Sequence, residues 1–173
     1  SIQQNTSGRG ISLEGARSRI YVTDSELDFQ TTAAGIYMTG SNPEMVMDSS
    51  KVHMTPNSGG ISIRLSGEDA LLSLTNKSVI DIRQGSGGLV DNIQVGHSSA
   101  RPTLRLDKES KLSVSTSSST STASMTQNNG VHLRGPSPTL EVLNDSELDV
   151  TVTVGSRRGL FVNGENATIR VED

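Results

Sequence analysis

Residues able to do chemistry recur at alternate positions of this 173-residue chain, in short stretches that mostly open on glycine. Tyr37, Arg64, His132, Arg134 and Phe161 share the polar phase of these stretches with Ser12, Glu14 and Gln94. Aromatic rings stack on sugar faces, and an arginine fork matches a carboxylate through two parallel hydrogen bonds. A uronate-containing chain laid along such a set suits that chemistry. Arg157 and Arg158 precede the last stretch and extend the basic edge toward Arg134. The Ser/Thr-rich run 115–129, including Ser117, Ser119, Thr120 and Ser121, leads directly into Gly130 and offers hydroxyls to a glycan. The competing reading is plain surface: strands place Tyr and Phe outward by propensity, arginines aid solubility, and the run is a passive insertion.

Catalysis needs a different pattern. Glycoside hydrolases use close pairs of carboxylates as acid and base or nucleophile. Here Glu26/Asp28, Asp81 and Glu147/Asp149 alternate with Lys51/His53 and Lys111 from one stretch to the next. That alternation reads as a solvated face with cross-strand ion pairs. No catalytic residue and no cofactor motif is assigned. There is no cysteine, and His53, His97 and His132 fall on different faces, so no histidine metal site is expected. The formal charge of −4 argues against nucleic acid as a partner, and no transmembrane run is visible.

The elements that must hold these residues come as a ladder of self-similar segments. The first alternation is Gly10-Ile11-Ser12-Leu13, Gly35-Ile36-Tyr37-Met38, Gly60-Ile61-Ser62-Ile63, Asn92-Ile93-Gln94-Val95, Gly130-Val131-His132-Leu133 and Gly159-Leu160-Phe161-Val162. A second follows at Ile20/Val22, Met45/Met47, Leu72/Leu74, Leu104/Leu106, Leu140/Val142 and Ile169/Val171. A third follows the serines at 25, 50, 78, 110 and 146. Period-two alternation is the signal of a strand with one apolar face. Three such strands per repeat bury that face only by coiling and stacking. The expectation is a single domain, 1–173, of all-β class: a right-handed parallel β-helix with three strands per coil and about six coils, roughly 29 Å long. A core of stacked aliphatic rows is compatible with only 32% hydrophobic residues. The leading glycines imply positive φ or close backbone approach, with Asn92 as the tolerated substitute. A second glycine closes the first strand at 15, 40, 67, 96, 135 and 164. Solenoid ends need polar caps, and none is read here, so the chain is expected to be a piece of a longer protein.

With the strands Gly130-Val131-His132-Leu133-Arg134-Gly135 and the turns Asn144-Asp145-Ser146-Glu147-Leu148 and Thr23-Asp24-Ser25-Glu26-Leu27, the chain resembles the pectate-lyase-like adhesive domains of Gram-positive cell-surface proteins. The binding regions of serine-rich repeat adhesins are of this kind. The resemblance implies a secreted or wall-anchored protein that binds an acidic polysaccharide or a host glycan or glycoprotein, in attachment or biofilm. It supplies no catalytic motif. Arg101-Pro102-Thr103-Leu104-Arg105 is one residue out of the Arg-x-Pro-x-x-Arg run of pectate lyases, and reads instead as a turn followed by inward Leu104 and outward Arg105. A polysaccharide lyase or hydrolase, and a structural stalk that self-associates, are the alternatives.

Overall fold

A computed structural model describes residues 2–6, 9–31, 34–56, 60–84, 91–97, 101–116, 129–152 and 158–173. Strand β1 (Ile2–Thr6) is followed by coils of three strands each. The first comprises β2 (Arg9–Leu13), β3 (Arg19–Thr23) and β4 (Glu26–Thr31); the second, β5 (Ala34–Met38), β6 (Glu44–Asp48) and β7 (Lys51–Met54). The third comprises β8 (Ile63–Leu65), β9 (Leu71–Thr75) and β10 (Val79–Gln84); the fourth, β11 (Ile93–Val95), β12 (Thr103–Leu106) and β13 (Lys111–Thr116). The fifth comprises β14 (Val131–Leu133), β15 (Thr139–Leu143) and β16 (Glu147–Val152), and the chain ends with β17 (Leu160–Val162) and β18 (Thr168–Glu172). Equivalent strands stack in parallel into three six-stranded sheets, β2 to β17, β3 to β18 and β1 to β16. These are called the first, second and third sheets. The fold is thus an all-β parallel solenoid with three strands per coil. The expected six coils overcount it: five coils are complete, four turns apart from first to last, and β1 and β17–β18 are partial.

The alternation works as a binary code. In β6, β9 and β12 every second side chain is buried, and Met45, Met47, Leu72, Leu74, Leu104 and Leu106 have no exposed surface. They stack in register from coil to coil. Each such side chain contributes roughly 1.5–3 kcal/mol by leaving water. At the last coil the rows end in the open: Leu160, Val162, Ile169 and Val171 continue the buried ladders, yet each is exposed.

One register differs from expectation. Ile36, Tyr37 and Met38 pair with Ile63, Arg64 and Leu65, so coil three opens on Ser62-Ile63-Arg64-Leu65 rather than on Gly60. Ile61, Ile63 and Leu65 share one period-two phase, so a slip of two residues keeps every face and alternation alone cannot choose between registers. The slip leaves Arg64 outward and buries Ser62.

The leading glycines Gly10, Gly35 and Gly130 answer to close approach, not to positive φ. A Cβ on Gly35 would collide with Met54 Sδ and sit 3.0 Å from the Ser62 carbonyl oxygen. Asn92 is not among the positive-φ residues, so left-handed tolerance is not why it stands there.

The recurring serines have a structural role. Ser50 and Ser78 are buried at the corner leading into the third sheet. The Ser50 backbone N–H donates to Ser78 Oγ at 3.1 Å, and Ser78 Oγ–H donates to the Thr75 carbonyl at 2.7 Å. Ser25 donates to Ser50 and Ser110 to Ser146 in the same way, both at 3.1 Å. The preceding turn residues Asp24, Ser49, Asn76 and Asn144 adopt positive φ. The Asn76 amide donates to Asp48 and the Asn144 amide to Asp107, which gives the asparagines of Asn76-Lys77-Ser78 and Asn144-Asp145-Ser146 a structural reason. Ser78→Ala strands the buried Ser50 N–H and should cost about 1–3 kcal/mol. A urea-unfolding midpoint unchanged from wild type would show that the corner does not depend on this ladder.

Candidate functional site

The outward row of the first sheet runs Ser12, Tyr37, Arg64, Gln94, His132 and Phe161, one residue per coil in strict register. Parallel pairing sets these side chains about 4.8 Å apart along the solenoid axis. The sequence therefore assembles Tyr37, Arg64, His132 and Phe161 into one ribbon. Arg134 follows directly after β14, and its backbone N–H donates to the Val95 carbonyl at 3.0 Å. Arg157 and the run members Ser117, Ser119, Thr120 and Ser121 lie outside the described residues.

The row is not uniformly exposed. At its start Arg9 lies over the Tyr37 ring, 3.8 Å from the centroid, and Arg64 lies on the same ring at 5.5 Å. Glu14 accepts from Arg9. At its end Arg158, exposed, lies 4.0 Å from the centroid of Phe161. Phe161 in turn packs against His132 with centroids 4.8 Å apart. Each guanidinium–ring contact contributes on the order of 0.5–1 kcal/mol at an exposed site and holds the cation in one place.

Between these ends the ribbon is closed. His132 was expected on the surface, but it is only 5% exposed. Its Nδ1 lies 2.6 Å from Asp91 Oδ2, and its Nε2 lies 2.8 Å from Asn163 Oδ1. Asn129 donates to Asp91 Oδ1 twice, from its backbone N–H at 3.1 Å and its side-chain amide at 2.7 Å. Burial alone would raise the Asp91 pKa. The hydrogen bonds from His132 and Asn129 and the charge of the imidazole outweigh it, and the carboxyl is held below its ordinary range. His132 therefore clamps coils four and five and the partial coil that follows them, and is not a free ligand-binding group.

Asp91 and Asn129 were missed from the sequence because each stands in a turn, outside the strand pattern. One signal was present. Asp91, Asn129 and Arg158 all stand two residues before the first inward residue of their coils, Ile93, Val131 and Leu160. Aligning the turns as well as the strands brings the three into one column.

What distinguishes the ribbon is unneutralised charge. Away from the first sheet, Arg19, Arg83, Arg101, Arg105 and Arg170 each sit on a carboxylate, at 2.6–3.0 Å. Among the described residues Arg64, Arg134 and Arg158 have no carboxylate partner, nor does Arg17 in the turn after β2. Arg64 Nε is buried and has no hydrogen-bond partner. The Arg101–Arg105 stretch is structural: Leu104 is fully buried, Arg101 pairs with Asp69, and Arg105 pairs with Glu141. On the third sheet Lys111 pairs with Glu147 at 3.0 Å, as cross-strand alternation implies. Among the described residues no helix is long and apolar enough to cross a membrane. Compared with known proteins, the chain matches no family model, no curated protein and no solved structure.

Proposed function

We propose that this chain is a non-catalytic adhesive domain of a bacterial cell surface, wall-anchored or secreted, which binds acidic glycans along the first-sheet ribbon. The coil is taken as right-handed, the hand that parallel crossovers prefer. The observation that supports the reading is the contrast in arginine pairing: Arg64, Arg134 and Arg158 carry no carboxylate, whereas Arg19, Arg83, Arg101, Arg105 and Arg170 on the other two sheets and their turns do. Two acids beside the ribbon are already engaged, Glu14 by Arg9 and Asp91 by His132. A uronate or other anionic sugar supplies the missing acceptors, and its ring faces the aromatic edges of Tyr37 and Phe161.

The test compares binding to polygalacturonate and to a neutral dextran at low and high salt, with polymer length followed over time. Binding to the acidic polymer should weaken as salt screens the half-buried Arg64 and Arg134 and the exposed Arg158. Arg64→Ala with Arg134→Ala should weaken it by on the order of tenfold or more, since a hydrogen bond to a charged group contributes about 1.5–3 kcal/mol. The double variant should lose no more than a few degrees of melting temperature, because neither guanidinium has a protein acceptor among the described residues and only the Arg64–Tyr37 ring contact is given up. Salt-insensitive binding removes the basic-ribbon mechanism. Shortening of the polymer makes the chain a lyase or hydrolase instead.

A further inference from the structure

On the third sheet, away from the ribbon, Asp28, His53 and Asp81 face outward in register on β4, β7 and β10, with Glu26 two residues before Asp28 on the same face. Glu26, Asp28 and His53 each bring one donor atom within 4.8 Å of the other two. His53 Nε2 lies 3.4 Å from Glu26 Oε1. Two ligand atoms held at about 2.1 Å by one tetrahedral zinc ion are themselves about 3.4 Å apart.

The other side of the ring is an independent sign. His53 Nδ1 faces Asp81 Oδ2 at 3.8 Å, and Asp81 is held by the Arg83 Nε–H at 2.8 Å. At 3.8 Å this is a charge contact and not yet a hydrogen bond; it is nevertheless the side from which a carboxylate orients a metal-bound histidine. A shallow cavity of about 270 Å³, lined by His53, Met54, Thr55, Asp81 and Arg83, adjoins the ring. Lys51 stands opposite Glu26 in register but makes no ion pair with it among the described residues.

We propose that Glu26, Asp28 and His53 form a binding site for a divalent transition-metal ion of the zinc type, with Asp81 as the residue that positions the His53 ring. One imidazole and two carboxylates suit a borderline cation better than calcium, which prefers six to eight oxygen ligands. Remaining coordination positions are left to water or to an anionic group of a bound partner.

The test is calorimetric titration of the chain with zinc chloride in chelator-free buffer, beside the variants His53→Ala, Glu26→Gln and Asp81→Asn. Wild type should bind one zinc ion per chain. Asp81→Asn should weaken binding by roughly 10–100-fold with its melting temperature unchanged, and His53→Ala should weaken it more. Glu26 is exposed, so Glu26→Gln reports on the site without burdening the fold. No saturable binding by wild type overturns the proposal. So does equal affinity in His53→Ala and Glu26→Gln, or a loss that follows His97→Ala instead.

Discussion

Replacing His132 by alanine should destabilise this domain by about 1–3 kcal/mol or more, the cost of leaving a buried acceptor without its donor. The effect comes from what is left behind. Asp91 is 5% exposed and lies beneath Asn129, and without the imidazole its carboxylate keeps Asn129 but loses its contact to the ring Nδ1. The ring's contacts with Asn163 and Phe161 go as well. Asp91→Ala should be comparably harmful, and the double variant should lose less than the sum, by on the order of 1–3 kcal/mol. The pH dependence has a definite sign. Because the Asp91 pKa is lowered by folding, its contribution is fully present above the ordinary carboxylate range and is lost as pH falls through the folded value. Chemical unfolding of wild type and Asp91→Asn from neutral to acid pH checks this: the two curves should converge in acid. A His132→Ala protein as stable as wild type would mean that the clamp is not formed.

Gly96→Ala should cost on the order of 4 kcal/mol. Gly96 has φ +106°, a conformation that side-chain-bearing residues enter only with about 1–3 kcal/mol of strain. A Cβ there would also overlap the Arg134 carbonyl oxygen of the next coil. Coils cannot separate locally, because Arg134 donates to Val95 and Gly96 donates to the Leu65 carbonyl, which ties three coils together at this corner. Overpacking of that kind adds roughly 1–3 kcal/mol. At about 2–4 °C per kcal/mol for a chain of this size, the melting temperature should fall by roughly 10 °C. Gly159→Ala is the internal control. Its Cβ would meet Val150 Cγ1 at 3.8 Å, an ordinary contact, and its φ is not in the left-handed region. It should change stability by less than about 1 kcal/mol. Equal losses at Gly96 and Gly159 would contradict the corner geometry.

The inward rows were legible because a period of two, repeated three times per segment, has one way to hide its aliphatics: Leu72, Leu104 and Leu140 stack because no other partner is available to them. The same logic placed Tyr37, Arg64 and Phe161 on one outward row. Phase says which face a residue takes, but not what lies on top of it. His132 has the right phase, yet Asp91 and Asn163 cover it, and Asp91 stands in a turn that no strand pattern constrains. Registry has the same limit, since a shift of two residues at Ser62 costs nothing in pattern and is decided only by which backbone groups meet across coils. The grouping of Glu26, Asp28 and His53 also depends on coil-to-coil distance, which local sequence does not contain. Composition and periodicity alone thus determined the solenoid, its apolar interior and the faces of its polar residues. The tertiary structure decided which of those residues are free, because burial and charge pairing arise between coils some 25 to 41 residues apart in the chain.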